Sequence, residues 1–159
     1  MNNLELAWLA GIMEGEGTFS IYHQKRKGTA PDQLRAVISL TNTDPYLINK
    51  AFSIFQSMGV EMHIHEYDNK KGSTRTVYDM QTAKHTNVKL VCELLAPYLF
   101  GEKRAKAEML LRFVTRRLEK LGPNNSTRFA KYDDEDWEQF NSFRSPTTTR
   151  EAPTGEDIV

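Results

Sequence analysis

Two carboxylates end a short apolar helix, in a place where helix geometry disfavours negative charge. Glu14 and Glu16 close the segment Leu9-Ala10-Gly11-Ile12-Met13-Glu14-Gly15-Glu16-Gly17. The unpaired carbonyls at a helix C-terminus carry about half a negative charge, so an acid there costs roughly 0.3–1 kcal/mol unless a positive charge lies opposite. Side chains two residues apart on a helix do not point the same way. We expect Glu16, beside the next strand, to bind a divalent cation, and Glu14 to accept hydrogen bonds from nearby backbone N–H groups.

Small residues follow one face of this helix. Ala7, Gly11 and Gly15 recur every four residues, which lets the backbone of a second helix approach closely. Mg²⁺ takes about six oxygen ligands, so one carboxylate is a thin ligand set, and two copies of the helix packed through this face would supply two. An ordinary amphipathic helix with a glycine C-cap is the alternative. Gly17 is expected to free the chain for a sharp turn.

The composition indicates one domain with an appendage. The 159-residue chain has no net charge, but residues 132–159 contain eight acidic residues against only Arg144 and Arg150. The rest of the chain holds the balancing positive charge, as expected for a polyanion-binding body with a detachable acidic tail. A single cysteine, no signal peptide and no apolar run long enough to cross a membrane predict an intracellular protein of a reducing compartment.

The hydrophobic pattern predicts two helix-flanked hairpins. After a helix at about residues 4–13, polar and apolar residues alternate over residues 18–26 and again over residues 33–41. A helix follows the cap-like sequence Asn42-Thr43-Asp44-Pro45. The alternation returns in residues 61–67 and 75–81, and further helices are expected at about residues 87–98 and 102–121.

The order up to about residue 98, αββαββα, predicts an α+β fold with four strands in one antiparallel sheet backed by helices, and the helix at about residues 102–121 follows it. We expect residues 1–122 to form the main domain and residues 123–144 to form an extension with a short acidic surface helix. Residues 145–159, rich in Pro, Thr and Ser, are expected to be a disordered tail.

The polar face of the predicted sheet has side chains suited to reading DNA. Arg and Gln bind guanine and adenine bidentately in the major groove, whereas a merely solvated sheet face is the plain alternative. The side chains expected on this face are Ser20, Tyr22, Gln24, Arg26, Gln33, Arg35, Ser39, Thr41, His63, His65, Arg75, Asp79 and Gln81.

The segment from Leu9 to Gly17 resembles the signature motif of the LAGLIDADG homing endonucleases, with Glu in place of Asp at both acidic positions. The Asn42-Thr43-Asp44 sequence and the basic helix that begins near Lys103 also fall where that family has them, so the resemblance covers roughly residues 4–121. A single motif copy in this family implies a homodimer. The motif helices would form its interface, which here contains Ala7, Gly11 and Gly15.

By this resemblance Glu16 corresponds to the metal-binding carboxylate, Asn42 to the polar residue at the edge of the active site, and Lys103 to the basic residue nearest the scissile phosphate. A further basic position corresponds to Tyr46, or to Lys50 one turn on. Lys103 also fits a solvated basic helix face, and Asn42 also fits a cap partner of the next helix. Glu at position 16 adds a methylene relative to Asp, and we expect activity to survive this change.

The resemblance implies a Mg²⁺-dependent, site-specific endonuclease that cuts both strands of a long pseudo-palindromic DNA target and leaves short 3′ overhangs. A catalytically silent member, acting as an RNA-splicing maturase or a DNA-binding regulator, is the alternative, and only the maturase would have RNA as a partner. A plain α+β dimerisation module is a third possibility. The retained acid at position 16 favours the enzyme.

Overall fold

The computed structural model describes residues 2–29, 31–68, 75–120 and 131–144, and their elements follow the predicted αββαββα order, with the two further predicted helices after it. A 3₁₀ turn, Ala96–Tyr98, separates the third and fourth helices. The elements are α1 (Asn3–Glu16), β1 (Gly17–Gln24), β2 (Gln33–Asn42), α2 (Pro45–Ser57), β3 (His63–Asp68), β4 (Thr76–Thr82), α3 (His85–Leu95), α4 (Gly101–Glu119) and α5 (Asp134–Arg144).

Local sequence signals fix the ends of the first two helices. Asn2 and Glu5 form a capping box at the start of α1, in which the Glu5 N–H donates to Asn2 Oδ1 at 2.8 Å. Asp44 caps α2 and Pro45 occupies its first turn, as predicted. α1 runs three residues beyond its predicted end, because the Gly17 N–H still donates to the Met13 carbonyl. Glu16 is therefore the last residue of the helix and Gly17 the first of the strand.

The four strands form one antiparallel sheet in the order β1-β2-β4-β3, which confirms the predicted fold class. Leu40 of β2 lies opposite Gly17 on one side and opposite Met80 on the other, and Ile64 of β3 continues the row. Since side chains alternate between faces along each strand, this register assigns every strand residue to one of two faces.

One face of the sheet forms the core with the helices. Phe19, Ile38, Leu40 and Met80 are almost fully buried on this face. α1 contributes Leu6, Leu9, Ala10 and Met13, and burying a side chain such as Leu9 stabilises the fold by about 1.5–3 kcal/mol. The opposite face stays largely polar, although Val37, expected there with the polar residues, is buried. The apolar side of α1 is thereby fixed, and its remaining side is left exposed.

The acidic extension is not a detachable tail, and its helix is not merely a surface helix. In α5 the side chains of Phe140 and Phe143 are buried in the same core. Asp136, also in α5, is fully buried and its Oδ2 lies 3.3 Å from a guanidinium nitrogen of Arg117, which is fully buried in α4. The prediction of a detachable tail was wrong because it rested on net charge alone. It treated the acidic segment as solvated, whereas its acids are the partners of basic residues in α4.

Further contacts tie the extension to α4. Lys120 Nζ lies 2.6 Å from Asp133 Oδ2 and 3.0 Å from Asp136 Oδ2, and Arg116 pairs with Asp133 and Glu135. Hydrogen bonds from Lys120 and from the Asp136 backbone hold the pKa of Asp133 well below its usual range. The basic residues at the end of α4 are thus occupied within the chain and do not form an open polyanion-binding surface.

Some sequence predictions fall outside the described residues. These are the turn between β3 and β4, the stop after α4 at Gly122-Pro123-Asn124-Asn125, and the disordered tail over residues 145–159. Among the helices of the described ranges, none is long and apolar enough to cross a membrane.

We expect the stability of the chain to depend on pH through His85, the first residue of α3. Burial, with a smaller effect of Arg117, lowers the pKa of His85 from 6.5 to about 4. Below pH 6.5 the unfolded chain takes up a proton that the folded chain rejects, so the free energy of unfolding falls as the pH falls towards 4. We expect a loss of about 2 kcal/mol between pH 7 and pH 5 in urea denaturation.

The matched control is His85→Phe, which keeps an aromatic ring against Phe113, whose ring lies edge-on to His85 at 6.4 Å. This variant should lose most of the dependence between pH 7 and pH 5. An equal slope in the variant and the wild type would assign the effect to another group.

Candidate metal centre and nucleic-acid interface

The two acids at the end of α1 have separate surroundings. Glu14 is half-buried, and its Oε2 accepts a hydrogen bond of 3.1 Å from the backbone N–H of Phe100, the residue that precedes α4. The Glu16 carboxylate, by contrast, is exposed to solvent. The prediction that Glu14 satisfies a backbone N–H group is therefore confirmed, and Glu16 is the acid left in a position to meet a ligand.

Lys103 lies beside this pair. Its ammonium donates a hydrogen bond to the backbone carbonyl of Gly17, the residue that directly follows Glu16. Partial burial lowers the pKa of Lys103, while the nearby charges of Glu14 and Glu16 act in the opposite direction. The structure thus brings together Glu16 and Lys103, residues 87 positions apart in sequence numbering. Lys103 is half-buried and does not lie on an open, solvated helix face.

The donors at this end of α1 suit a hard divalent cation. The exposed carboxylate of Glu16 offers oxygen ligands, which are the ligands that Mg²⁺ and Ca²⁺ take. Within the described ranges, no three His, Cys, Asp or Glu side chains come close enough together to hold an ion. Water molecules, backbone carbonyls, a substrate or a second copy of the chain would supply the other oxygen ligands of such an ion.

Asn42 lies at the end of β2, two residues beyond the partner of Gly17. Its Oδ1 accepts a hydrogen bond of 2.9 Å from the Asp44 backbone N–H, so the side chain supports the turn into α2 as the structural alternative predicted. The amide Nδ2 of Asn42 has two N–H groups that can donate to a water molecule or a phosphate.

The two candidates for the further basic position have different surroundings. The Lys50 ammonium lies over the Trp8 ring, 4.2 Å from its centroid. Trp8 precedes Glu16 by about two turns of α1, which corresponds to about 12 Å along the helix axis. Tyr46 is 85% exposed in the first turn of α2. The role of Tyr46 or Lys50 at this position stays a prediction.

The small residues of α1 line its exposed side. Ala7, Gly11 and Gly15 are exposed, and a Cβ atom added to either glycine would meet nothing within 4 Å. Packing within one chain therefore does not require glycine at these two positions. An exposed strip without side chains is what close packing of a second helix needs.

Gly17 has a different role from the one expected. Its backbone is extended, with φ −78° and ψ 157°, so no special turn requires glycine. The reason is space, because a Cβ atom there would lie 2.7 Å from the Met13 carbonyl oxygen and 2.9 Å from Met13 Cα. The expectation of a sharp turn was wrong, since the chain passes from helix to strand without a loop and the constraint comes from the last helical turn.

Gly17→Ala should therefore destabilise the single chain. We expect a loss of about 1–3 kcal/mol in the free energy of unfolding, because the backbone of Met13 cannot move aside cheaply. Gly11→Ala is the matched control. It should be neutral or should stabilise the helix by about 0.5–1 kcal/mol. Denaturant titration compares the two variants, and equal stabilities would show that the contact with Met13 is not limiting.

The predicted DNA-reading side chains share one face of the sheet. Tyr22 lies opposite Arg35 and Gln24 opposite Gln33 across β1 and β2. Two rows of neighbouring residues continue this face across β2, β4 and β3. One row is Ser39, Gln81 and His63, and the other is Thr41, Asp79 and His65. Thr41 donates a hydrogen bond of 2.9 Å to Asp79. The face is the one turned away from the helices.

Two of the predicted residues lie outside the strands. Arg26 follows the end of β1 at Gln24, and Arg75 precedes the start of β4 at Thr76. β1 ends early because its partner strand begins only at Gln33, so residue 26 has no cross-strand neighbour. The prediction omitted Thr18 and Tyr67, which the same alternation places on this face and which are exposed.

Comparisons with solved structures identify the fold. The chain is similar to the homing endonuclease I-CvuI in complex with the I-CreI target, with 17% identity, a TM-score of 0.56, and 89% of this chain and 96% of that chain covered. It is similar to I-SmaMI bound to cleaved DNA, with 16% identity, a TM-score of 0.62, and 98% and 46% covered. It is also similar to the group I intron-encoded homing endonuclease I-CeuI complexed with DNA, with 16% identity, a TM-score of 0.58, and 72% of this chain and 55% of that chain covered.

The chain thus spans nearly the whole length of I-CvuI and about half the length of I-SmaMI and I-CeuI. A search of curated proteins found no match. The sequence model of the LAGLIDADG endonucleases matches residues 9–111, which include the motif, the whole sheet and the site around Lys103. The chain belongs to the LAGLIDADG endonuclease family.

Proposed function

We propose that this protein is a site-specific, Mg²⁺-dependent endonuclease that cuts both strands of a long DNA target as a homodimer. The proposal rests mainly on one observation, which is the exposed Glu16 at the end of α1 with Lys103 hydrogen-bonded to the carbonyl of the next residue, Gly17. Membership of an endonuclease family and the polar sheet face beside this centre support it.

The geometry of the sheet suits one half of a symmetric DNA target. A ten-residue strand such as β2 spans about 33 Å, close to one turn of duplex DNA. Two copies related by a two-fold axis would follow about two turns, or roughly 20 base pairs, and would favour a pseudo-palindromic sequence. The exposed strip of Ala7, Gly11 and Gly15 is the surface that we propose for the contact between the copies.

Phosphodiester hydrolysis needs a water molecule in line with the leaving group, neutralised phosphate charge and a stabilised leaving alkoxide. A bound divalent cation supplies charge neutralisation and stabilises the leaving oxygen. Glu16 from each copy would hold it, and Lys103 would donate to a non-bridging phosphate oxygen from its place beside Glu16. Asn42 Nδ2 would orient the attacking water molecule. The expected products have short 3′ overhangs.

The alternatives account for less of the site. A silent DNA-binding regulator or an RNA-splicing maturase would need the binding face but not an exposed Glu16 with Lys103 next to it. A plain dimerisation module would need only α1, and it would show no salt-dependent affinity for DNA.

Selection from a random DNA library tests the proposal. The purified chain is incubated with the library and Mg²⁺, and the cut ends are sequenced. We expect a recurring pseudo-palindromic site of about 20 base pairs with staggered cuts across it. Binding without cutting under all conditions would favour the silent regulator. A chain that neither binds nor cuts DNA would contradict the proposal as a whole.

A further inference from the structure

The loop between β1 and β2 has three consecutive exposed basic residues, Lys25, Arg26 and Lys27, and one carboxylate holds both ends of the loop together. Asp32 Oδ2 lies 2.8 Å from His23 Nε2, and Asp32 Oδ1 accepts a hydrogen bond of 3.2 Å from the backbone N–H of Arg26. The hydrogen bond with His23 and that from Arg26 lower the pKa of Asp32, so it is charged at neutral pH. Asp32, directly before β2, is therefore linked to the end of β1.

Helix α5 packs against the other side of the His23 ring. The ring of Trp137 lies edge-on to His23 with centroids 5.1 Å apart, and that of Phe140 does so at 6.0 Å. His23 points to the helix side of the sheet, because it lies opposite the buried Leu34. Its imidazole is thus held between α5 and Asp32, with a packing contact on one side and a hydrogen bond on the other.

α5 is itself firmly anchored. Besides the buried pair of Asp136 and Arg117, the Tyr132 hydroxyl just before the helix donates a hydrogen bond of 3.1 Å to the Leu34 carbonyl of β2. The Arg117 guanidinium lies over the Tyr132 ring, 4.1 Å from its centroid. A continuous series of contacts therefore runs from α4 through the extension to His23 and Asp32.

We propose that helix α5 positions the basic loop for contact with the DNA backbone, and that His23 and Asp32 are the positioning residues through which it acts. The inference rests on the proposed function, because the loop is taken to meet DNA. β1 begins beside Glu16 and its eight residues extend about 26 Å, so the loop lies far from the cutting centre. It would contact the outer part of each half-site and would affect binding and not the cutting step.

The charge of Asp32 makes the sign of the effect informative. Asp32 is an acid next to three bases, so if only charge mattered, its removal should strengthen binding to a polyanion. If Asp32 holds the loop in shape, Asp32→Ala should weaken binding in spite of the favourable change in charge. Asp32→Asn removes the same charge but keeps an acceptor for the Arg26 N–H, so it should bind at least as well as the wild type.

The DNA measurement uses the target selected by the wild type, with Ca²⁺ in place of Mg²⁺ during binding. We expect the Kd to rise roughly tenfold for Asp32→Ala and for His23→Ala, and to stay within about twofold of wild type, or fall, for Asp32→Asn. The cutting rate at saturating DNA in Mg²⁺ should be unchanged in all three. Asn141→Ala, on an exposed position of α5, is the control and should change neither quantity.

A second measurement needs no DNA. Trypsin cleaves after lysine and arginine, so the loop contains its own three reporter bonds, after Lys25, Arg26 and Lys27. Cleavage there in the full-length folded chain should be roughly tenfold faster in Asp32→Ala and His23→Ala than in wild type, and unchanged in Asp32→Asn and Asn141→Ala.

The two measurements separate the possible failures. An Asp32→Ala variant that binds DNA as tightly as Asp32→Asn and resists trypsin like the wild type would overturn the inference. Faster trypsin cleavage together with unchanged DNA binding would show that His23 and Asp32 hold the loop in shape without serving DNA binding, and would overturn the positioning role. A wild type that binds no DNA would contradict the proposed function and the positioning role with it. The trypsin rates would still test whether His23 and Asp32 hold the loop in shape.

Discussion

Replacing Glu16 with Gln should lower the rate of DNA cutting by a factor on the order of 10³ or more, with folding and DNA binding preserved. Glu16 is exposed, and its amide counterpart has nearly the same size, so the stability of the chain should not change. The neutral amide is a much weaker ligand for a divalent cation. Removal of a negative charge beside the DNA backbone should leave binding equal or slightly tighter.

Glu14→Gln is the matched control, two residues earlier in the same helix. Its side-chain carbonyl can still accept the hydrogen bond from the Phe100 N–H, so we expect cutting within about tenfold of wild type. Single-turnover cutting of the selected target compares the two variants. If Glu16→Gln cuts at the normal rate, or if the two variants lose activity equally, Glu16 is not the metal ligand.

Replacing Gly11 with Leu should abolish double-strand cutting while leaving the single chain as stable as wild type or more stable. A Cβ atom at this position meets nothing within 4 Å in the described part of the chain, and removal of a glycine from a helix is worth about 0.5–1 kcal/mol. The leucine would nevertheless keep the two motif helices apart. Sedimentation should show monomers at protein concentrations where the wild type is dimeric, and denaturant titration should show unimpaired folding.

The pair Gly11 and Gly17 separates assembly from folding. Gly11→Leu should lose the dimer and keep the fold, whereas Gly17→Ala should weaken the fold through its contact with Met13. A Gly11→Leu chain that remains dimeric and active would show that the exposed strip of α1 is not the interface. A Gly11→Leu chain that unfolds would show that the position is packed within the chain.

The sequence predicted most of the architecture because each element has a local signal. Alternation between polar and apolar residues gave the two faces of β1 and β2, and the sequence Asp44-Pro45 gave the start of α2. The family, the fold class and the αββαββα order are confirmed. The hydrogen bond of Glu14 to a backbone N–H group could also be anticipated, since two acids at this spacing on a helix do not point the same way.

The rest depended on contacts between distant parts of the chain. The predicted freedom of the acidic segment failed because Asp136 is the buried partner of Arg117, a pairing that composition and local charge do not reveal. The reason for glycine at position 17 became visible only when the distance to the Met13 backbone was known. His23 escaped notice because its importance comes from Asp32 across the loop and from Trp137 in α5.

The central claim is that two copies of Glu16 form one active centre, and co-expression of wild type with Glu16→Gln in equal amounts tests it most directly. Random pairing makes about one quarter of the dimers fully wild type. The measurement is the rate at which a supercoiled plasmid containing the selected target is lost, whether to nicked or to linear DNA, relative to the same total amount of wild type. The account predicts about one quarter of the wild-type rate, and a rate of one half would contradict it by showing that each chain cuts on its own.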